Sequence, residues 1–305
     1  MRVVVTGAGG LLGGRLADIL HRRGADVLAL HRRLSPPPGP RARYIELTAP
    51  DAIARVLDAE QPEALVHAAV LGRADRCEER PDEAEAVNAR LPGQLARLCR
   101  ERELRLVGVS TDLVFGGESA FVREGDPAAP RGVYGRTKRR GEEALLAAWP
   151  AAAVARVALV VGRGHGPRGT ASESVAWALG AGRPARLYAD EFRTPVDPES
   201  VADGVLRLLT GVGSGYFHLA GAERMSRLDL GRRVARALGL PESLLEAARQ
   251  ADHPGPDPRP ADVSLDVSRA RRELGWEPRP IDEVLREGRA DPDGEERYLG
   301  GAGRR

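Results

Sequence analysis

The sequence predicts an α/β protein with a doubly wound parallel sheet and a smaller C-terminal lobe. Two observations predict the sheet. Short apolar runs rich in β-branched residues alternate with helix-like amphipathic stretches through residues 1–161. The apolar runs are continuous, which is typical of parallel strands that are buried on both faces. With right-handed crossovers, this alternation places helices on both sides of the sheet.

Five strands and four helices are predicted in residues 1–161. The strands lie at Arg2–Thr6, Asp26–Leu30, Ala64–Ala69, Arg105–Ser110 and Ala153–Val161. The helices lie at Leu11–Arg23, Asp51–Ala59, Asp82–Arg102 and Tyr134–Trp149. The proline-rich segment Ser35–Pro40 predicts a loop.

The pattern loosens after residue 161, where a glycine-rich loop occupies residues 162–170. We predict one further strand, Tyr216–Ala220, and helices at Glu173–Leu179, Ser200–Leu209, Leu228–Leu238 and Ser268–Leu274. Residues 1–161 would form the main domain, to which segments around 190–220 return, and residues 162–287 would form most of the smaller lobe. Residues 288–305 are polar and glycine-rich, and we expect a flexible tail there.

Composition excludes several function classes. The net charge is +2, with 46 basic and 44 acidic residues, so we expect neither nucleic acid nor a membrane surface as a partner. Cys77 and Cys99 are too few for a disulfide scaffold and lack the spacing of metal ligands. We therefore expect no metal and a cytoplasmic location. No apolar run has the length of a membrane span, and a strand-like run directly after Met1 and Arg2 argues against a signal peptide.

One residue type is unusually rare. Of the 46 basic residues one is lysine, Lys138, so the other 45 are arginine. A coding bias that replaces lysine with arginine would spare a lysine where arginine cannot substitute. Arginine is a broad fork that stays protonated, whereas lysine is a compact ammonium whose pKa can shift. Lys138 is therefore a candidate functional residue, and the alternative is that one surface lysine fell there by chance.

A glycine-rich turn joins the first strand to the first helix. Residues 6–13 read TGAGGLLG, with Gly7, Gly10 and Gly13 spaced as G-x-x-G-x-x-G. Glycines permit the tight turn and let the backbone approach a pyrophosphate, which the free amides of the helix start then bind. The context of strand, turn and helix favours dinucleotide binding over a purely structural turn. The predicted sheet is therefore a Rossmann fold.

The end of the second strand indicates which dinucleotide binds. An acidic residue there would hold the ribose 2′-hydroxyl of NAD, and a basic residue suits the 2′-phosphate of NADP. The sequence reads Leu30-His31-Arg32-Arg33, with two arginines and no acid. We predict NADP(H), with Arg32 or Arg33 on the 2′-phosphate, and regard NAD as the less favoured cofactor.

Three residues form a candidate catalytic group. Thr111 ends the fourth predicted strand, at the sheet edge where open α/β sheets bind ligands. Tyr134 and Lys138 are four residues apart near a helix start, so they share one face. We expect the Lys138 ammonium to lower the pKa of Tyr134, which would make the phenol a proton donor or acceptor near neutral pH. The Thr111 hydroxyl would hydrogen-bond the reacting carbonyl.

Asn88 is a fourth candidate. It is the only asparagine of the chain and lies in Val87-Asn88-Ala89, on the helix that leads to the strand ending at Thr111. The fold could place its amide in the same site. The alternative is a helix residue that bonds locally.

These residues together resemble the extended short-chain dehydrogenase/reductase family. Within it, the chain is most similar to the branch that contains dTDP-4-dehydrorhamnose reductases and the regulatory β subunit of methionine adenosyltransferase. The segments that carry the resemblance are TGAGGLLG (6–13), LVHAA (65–69), VNA (87–89), STDLVFGG (110–117), EGDPAAPRGVYGRTK (124–138), FRTPV (192–196) and RPADVSLDVSRARRELGW (259–276). They follow the order of the family and span most of the chain.

The resemblance implies a role for each candidate. The catalytic set would be Thr111, Tyr134 and Lys138, with Asn88 supporting a proton relay. The cofactor would be held by Tyr134, Lys138, Gly7, Gly9, Gly10, Leu11, Leu12, Arg32, Arg33, Leu47, Ala68, Ala69 and Val160. The smaller lobe would bind the substrate, and the residues facing it would be Asp112, Leu113, Arg193 and Thr194.

Three departures from the reductases of this branch concern the substrate more than the cofactor. The reductases carry an aromatic residue where Leu113 stands, an Asn-Phe pair where this chain has the loop 162–170, and an aspartate where this chain has Glu46.

The favoured function is therefore an NADP(H)-dependent reductase of a keto-deoxy sugar nucleotide. The alternatives are a nucleotide-sugar epimerase or dehydratase of the same fold and a non-catalytic NADP-binding regulatory subunit. The oligomeric state stays open, a homodimer included.

Overall fold

The computed structural model describes residues 1–167, 169–252 and 259–290. Its strands are β1 (Arg2–Thr6), β2 (Asp26–His31), β3 (Arg41–Tyr44), β4 (Ala64–His67), β5 (Arg105–Thr111), β6 (Ala153–Val157), β7 (Ala185–Tyr188), β8 (Phe192–Arg193), β9 (Gly215–Leu219), β10 (Met225–Ser226) and β11 (Leu245–Ala248).

The helices lie mainly between these strands. They are α1 (Leu11–Arg22), α2 (Ala52–Glu60), α3 (Ala74–Glu79), α4 (Pro81–Ala84), α5 (Leu91–Glu101), α6 (Gly132–Ala148), α7 (Ala171–Gly180), α8 (Pro198–Thr210), α9 (Arg227–Leu238), α10 (Ser268–Leu274) and α11 (Ile281–Ala290). A π-helix spans Glu85–Arg90, and 3₁₀ turns lie at Asp112–Val114, Glu242–Leu244 and Gln250–Asp252. The predicted tail from residue 288 begins inside α11, and residues 291–305 lie outside the described residues.

The prediction of a doubly wound parallel sheet is confirmed. Seven strands pair in parallel in the order β3-β2-β1-β4-β5-β6-β9. Because successive side chains of a strand point to opposite faces, Val3 and Val5 join the core beneath α1 and α8, and Val4 joins the core beneath α2, α5 and α6. Both faces of the sheet are therefore covered, which is why the strand sequences are continuously apolar.

The last strand of the sheet comes from the second half of the chain. β9 pairs with β6 from Ala153↔Gly215 to Val157↔Leu219. Between β6 and β9 the chain builds part of a smaller lobe with its own apolar core, which includes Val175, Leu179 and Val234. Two short sheets, β7 with β11 and β8 with β10, complete this lobe.

One predicted helix is interrupted. The segment predicted as Asp82–Arg102 forms α4, the π-helix and α5 in succession. Pro92 lacks an amide donor, and its ring would clash with the carbonyl four residues earlier, which belongs to Asn88. The wider π turn relieves that clash. The freed Asn88 carbonyl lies so close to Gly141 of α6 that a Cβ there would come within 2.0 Å of it.

Other boundaries differ by a few residues. β4 ends at His67 instead of Ala69, and β6 ends at Val157 instead of Val161, although Val160 still makes one bridge to Val196. Within the described parts of the chain, no helix combines the length and the hydropathy needed to cross a membrane.

Candidate functional site

The candidate residues gather at the carboxyl edge of the sheet. β1, β4 and β5 are neighbours, and their last residues are followed by the glycine-rich turn, by Ala68 and Ala69, and by Asp112. The chain connections from β1 and from β4 lead to opposite sides of the sheet. This leaves a crevice at the carboxyl edge, where ligands of open α/β sheets bind.

The glycine-rich turn is built for close approach of backbone. Gly7 has φ +70°, and its carbonyl accepts from the Gly10 amide at 2.9 Å. An added Cβ would clash at three of these glycines. On Gly7 it would lie 2.5 Å from the Ala69 amide nitrogen, and on Gly9 it would lie 2.0 Å from the Leu34 carbonyl oxygen. On Gly13 it would lie 2.3 Å from the Gly7 oxygen. α1 starts directly after this turn, so its first amides lack helical partners and can bind a diphosphate. These residues fit a dinucleotide.

Replacing Gly9 with alanine is expected to weaken the binding of NADPH and NADH together by roughly 10–100-fold, the value of one or two lost charge-assisted hydrogen bonds. The added Cβ would meet the Leu34 carbonyl at 2.0 Å, so the backbone of the turn has to shift. Fluorescence titration of both cofactors measures the effect. Gly125→Ala is the matched control, because a Cβ there meets nothing within 4 Å. Equal affinities in the two variants would contradict this role for the turn.

Two acidic side chains from other parts of the chain lie at the end of β2. Arg32 lies 3.4 Å from Glu46 and 3.3 Å from Glu83, which reach it from other parts of the chain. The sequence argument considered only residues adjacent to β2 and therefore missed the contacts of these two acids with Arg32. Arg33 is exposed, and it has no ion-pair partner among the described residues. Arg33 is consequently the cation more available to a 2′-phosphate.

Four further residues predicted to contact the cofactor line the same edge. Ala68 and Ala69 touch the Gly7 turn, and the Ala69 amide donates to Thr6 Oγ1 at 3.3 Å. Leu47 packs against the core on the α2 side of the sheet, and Val160 lies beyond β6 with its carbonyl accepting from Ala171 at 3.1 Å.

The structure brings Thr111, Tyr134 and Lys138 together. Tyr134 and Lys138 lie on α6, and Thr111 ends the neighbouring strand β5. The Thr111 hydroxyl donates to Asp112 Oδ1 at 3.0 Å and accepts from the Leu113 amide at 3.2 Å. Lys138 is buried, at 6% exposure, and its Nζ donates to the Val109 carbonyl at 2.8 Å. This leaves further Nζ protons for a ligand, because an ammonium has three donors.

The expected lowering of the Tyr134 pKa is wrong for this structure. Burial raises the pKa of Tyr134, the Thr111 hydrogen bond lowers it in part, and nearby Asp112 raises it further. Lys138, whose ammonium donates to the Val109 carbonyl, is not among the groups that shift the pKa of Tyr134. Burial also lowers the pKa of Lys138, to about 8. Tyr134 is therefore a protonated phenol at neutral pH.

The Asn88 side chain hydrogen-bonds the loop after β4 and helix α6. Its Oδ1 accepts from the Leu71 amide at 2.9 Å, and its Nδ2 donates to the Leu71 carbonyl at 3.2 Å and to Thr137 Oγ1 at 3.3 Å. Thr137 directly precedes Lys138. The side-chain amide thus ties the π-helix and the loop after β4 to α6, and the proton relay through Asn88 stays a prediction.

A charged cluster lies beside Thr111. Asp112 is buried, and its Oδ2 lies 3.9 Å from Arg193 Nε without a hydrogen-bond partner in the described parts of the chain. Burial raises the pKa of Asp112 to about 6, although Arg193 opposes the shift. Arg193 Nη2 lies 3.0 Å from Glu191, and Glu191 lies 3.8 Å from Arg259. Asp112 Oδ2 and Glu191 Oε2 thus lack a hydrogen-bond partner in the described parts of the chain, and buried groups with shifted pKa values are typical of functional sites.

Leu113 and Thr194, which are both predicted to face the substrate, differ in how deeply they are buried. Leu113 is partly buried, and its carbonyl lies against Gly135, next to Tyr134. Thr194 is wholly buried, and its Oγ1 accepts from the Leu265 amide at 3.2 Å. The Thr194 hydroxyl holds the segment around Leu265 in place, and the expectation that Thr194 faces the substrate stays a prediction.

Sequence reasoning missed several charged residues of this region. Glu191, Arg227 and Arg259 act on the same cluster as Arg193, and Glu142 and Arg156 form a buried pair near Lys138. Arg156 did leave a signal, because it is a charge inside the otherwise apolar run AVARV. Arg227 and Arg259 left none, since 45 arginines make any single one uninformative.

Comparison with known proteins agrees with this architecture. The family model described as the RmlD substrate binding domain matches residues 1–290. A probable low-salt glycan biosynthesis reductase of Haloferax volcanii is 34% identical, over 90% of this chain and 93% of that protein. A dTDP-4-dehydrorhamnose reductase of Mycolicibacterium smegmatis is also 34% identical, over 88% of this chain and 79% of that protein.

A solved structure shows the same fold. It is a dTDP-4-dehydrorhamnose reductase of Bacillus anthracis in complex with NADP, with a TM-score of 0.82 and 20% identity, and the match covers 94% of this chain and 97% of that one. The chain therefore belongs to the RmlD substrate binding domain family, within the extended short-chain dehydrogenases/reductases, a family of NAD(P)-dependent oxidoreductases.

Proposed function

We propose that the protein is an NADPH-dependent reductase of a keto-deoxy sugar nucleotide. The observation that carries the proposal is the placement of Tyr134 and Lys138 one turn apart on α6, with Lys138 Nζ bound to the strand that ends at Thr111. This group stands at the sheet edge that also holds the glycine-rich turn. Residues 1–161 would bind the cofactor, and residues 162–287 would supply most of the substrate contacts. The reductase names of the relatives support the same reaction class.

The cofactor supplies a hydride to the carbonyl carbon when it is bound. The Thr111 hydroxyl turns from Asp112 Oδ1, to which it donates in the structure at 3.0 Å, and donates to the carbonyl oxygen instead. Tyr134 delivers its phenolic proton to that oxygen as negative charge develops. The raised pKa of Tyr134 suits this direction, because the phenol has to be protonated at the start. The Lys138 ammonium then stabilises the tyrosinate and would hold the ribose of the cofactor. Asp112, Leu113 and Arg193 face the substrate.

A substrate panel tests the proposal. The purified protein is incubated with NADPH and keto sugars carried on dTDP or UDP, and loss of NADPH absorbance is followed. We expect oxidation with at least one 4-keto-6-deoxy sugar nucleotide, and a reduced sugar nucleotide as the product. No oxidation with any member of the panel would contradict the proposal. Tightly retained NAD in the purified protein would favour an epimerase or dehydratase.

The choice of NADPH is tested separately at Arg33. Arg33→Ala is expected to weaken NADPH binding by roughly 10–100-fold, the value of a lost charge-assisted contact to the 2′-phosphate, and to leave NADH binding unchanged. Arg43→Ala is the matched control, because Arg43 is exposed and already paired with Glu60. The dissociation constants of both cofactors are the measurement. Equal weakening of NADPH and NADH would mean that Arg33 does not recognise the phosphate.

A further inference from the structure

A buried ion pair lies one helical turn beyond Lys138. Glu142 follows Lys138 by four residues on α6, so their side chains share a face. Arg156 reaches Glu142 from β6: its Nε donates to Oε1 at 3.0 Å and its Nη2 to Oε2 at 2.9 Å. Both side chains are 1% exposed. This two-pronged geometry is the most strongly oriented contact that an arginine makes with a carboxylate.

The arginine is itself immobilised. Its guanidinium lies 4.1 Å from the ring centroid of Tyr216 and 5.0 Å from that of Phe115. Its Nη1 donates to the Glu124 carbonyl at 3.4 Å. Glu142 also receives Arg139 Nη1 at 3.3 Å, from the partly exposed side of the helix. The carboxylate is therefore fixed in one orientation inside the protein.

Stability alone does not account for this pair. Taking two charges out of water costs several kcal/mol per ion, and replacing a buried ion pair with apolar residues of similar volume is often neutral or stabilising. The surrounding cores of the sheet are apolar and would accept such residues. A fixed negative charge one helical turn from a buried ammonium is a more specific reason for the pair.

We propose that Glu142, held by Arg156, is a positioning residue that keeps the Lys138 ammonium charged beside Tyr134. A role of Glu142 in catalysis rests on the proposed function, but its effect on the protonation of Lys138 does not. Burial acts against the charged form of Lys138 and brings its pKa to about 8, and Glu142 is the described group that raises that pKa. Without Glu142, the ammonium would lose its proton at a lower pH.

Charged and titratable groups on the neighbouring elements do not replace Glu142. His67 at the end of β4 is held neutral, because burial and then Lys138 lower its pKa to about 3. The thiol of Cys77 on α3 is also neutral, because burial raises its pKa to about 11. Arg156 on β6 is a cation, and Asp112 after β5 acts on Tyr134. Among these groups, Glu142 is the anion that supports Lys138.

The single lysine makes a direct test practical. Protein grown with lysine labelled with ¹³C at the ε carbon gives one lysine signal, that of Lys138, whose shift reports its protonation. The wild-type midpoint is expected at about 8. Glu142→Gln is expected to lower the proton affinity of Lys138 about tenfold, which is a downward shift of roughly one pH unit. Glu143→Gln is the control, because Glu143 is 53% exposed and pairs with Arg139, and it should leave the midpoint in place.

A second variant guards against misfolding. Glu142→Gln leaves Arg156 without its anion, whereas Glu142→Met combined with Arg156→Met replaces the pair with apolar residues and should keep the fold. Both variants are expected to lower the midpoint. An unchanged midpoint in both would overturn the proposal.

A kinetic measurement adds an independent reading. If Lys138 acts in reduction, the alkaline limb of the kcat–pH profile should move to lower pH in step with the midpoint, because activity is lost as the ammonium deprotonates. A shifted midpoint in a protein that reduces nothing would support the role of Glu142 and contradict the proposed function, so the two failures are distinguishable.

Discussion

Exchanging Lys138 for arginine is expected to lower kcat by about 100–10,000-fold, the range for loss of a proton-transfer catalyst. The change looks conservative in a chain where 45 of 46 basic residues are already arginine. The site is nevertheless specific for lysine. Nζ is a compact donor to the Val109 carbonyl at 2.8 Å in a position that is 6% exposed. A guanidinium is broader and keeps its charge at every pH. It does not fit the space that holds the Lys138 ammonium without displacing its neighbours. Steady-state reduction of the keto sugar measures the loss.

Tyr134→Phe is the companion variant for this experiment. It removes the phenolic hydroxyl without enlarging any side chain, so the same fall in kcat with unchanged NADPH affinity would assign the loss to chemistry. Thermal unfolding of Lys138→Arg shows whether overpacking contributes. Wild-type kcat in Lys138→Arg would end the argument that this lysine is retained for function.

Replacing Arg156 with leucine is expected to lower the free energy of unfolding by about 3–5 kcal/mol, because it leaves the Glu142 carboxylate buried without its main partner. The pair is bidentate and 1% exposed, and the remaining cation, Arg139, approaches Glu142 only at 3.3 Å. Urea unfolding of the cofactor-free protein, followed by circular dichroism, measures the change. The cofactor is left out because its binding would stabilise the folded state.

Arg232→Leu is the control for this measurement. Arg232 pairs with Asp229 at 3.0 Å on the surface of α9, with both side chains about half exposed, so its loss should cost less than roughly 1 kcal/mol. If Arg156→Leu lowered the free energy of unfolding no more than Arg232→Leu does, the prediction for the buried pair would be wrong.

The sequence was most informative where local pattern and burial agree. The five strands predicted in residues 1–161 are all found, because each is buried on both faces and therefore continuously apolar. β3 was missed for the opposite reason: its residues, RARY, are all exposed at the edge of the sheet and carry no apolar signal. The glycine-rich turn was found because its constraints are local, within residues 6–13.

The site was less predictable where distant groups meet. The pairing of Arg32 with Glu83 joins residues 51 positions apart, and no local pattern at the end of β2 reveals it. The pKa of Tyr134 depends on burial and on the nearby Thr111 and Asp112 side chains, and only the folded structure shows these. Thr194 lies in a motif typical of the family, yet only the packed structure shows its hydroxyl bound to the Leu265 amide.

The pairing of β9 with β6 has a consequence for how the protein can be synthesised and divided. All five residues of β6 are buried, and their outer partner is not translated until residues 215–219. Until then, the growing chain presents β6 as an unpaired apolar edge, the kind of edge that pairs wrongly with other chains. A fragment that ends at residue 161 would contain the predicted cofactor-binding residues and still be expected to aggregate. The segment predicted to bind the dinucleotide is thus shorter than the segment expected to fold.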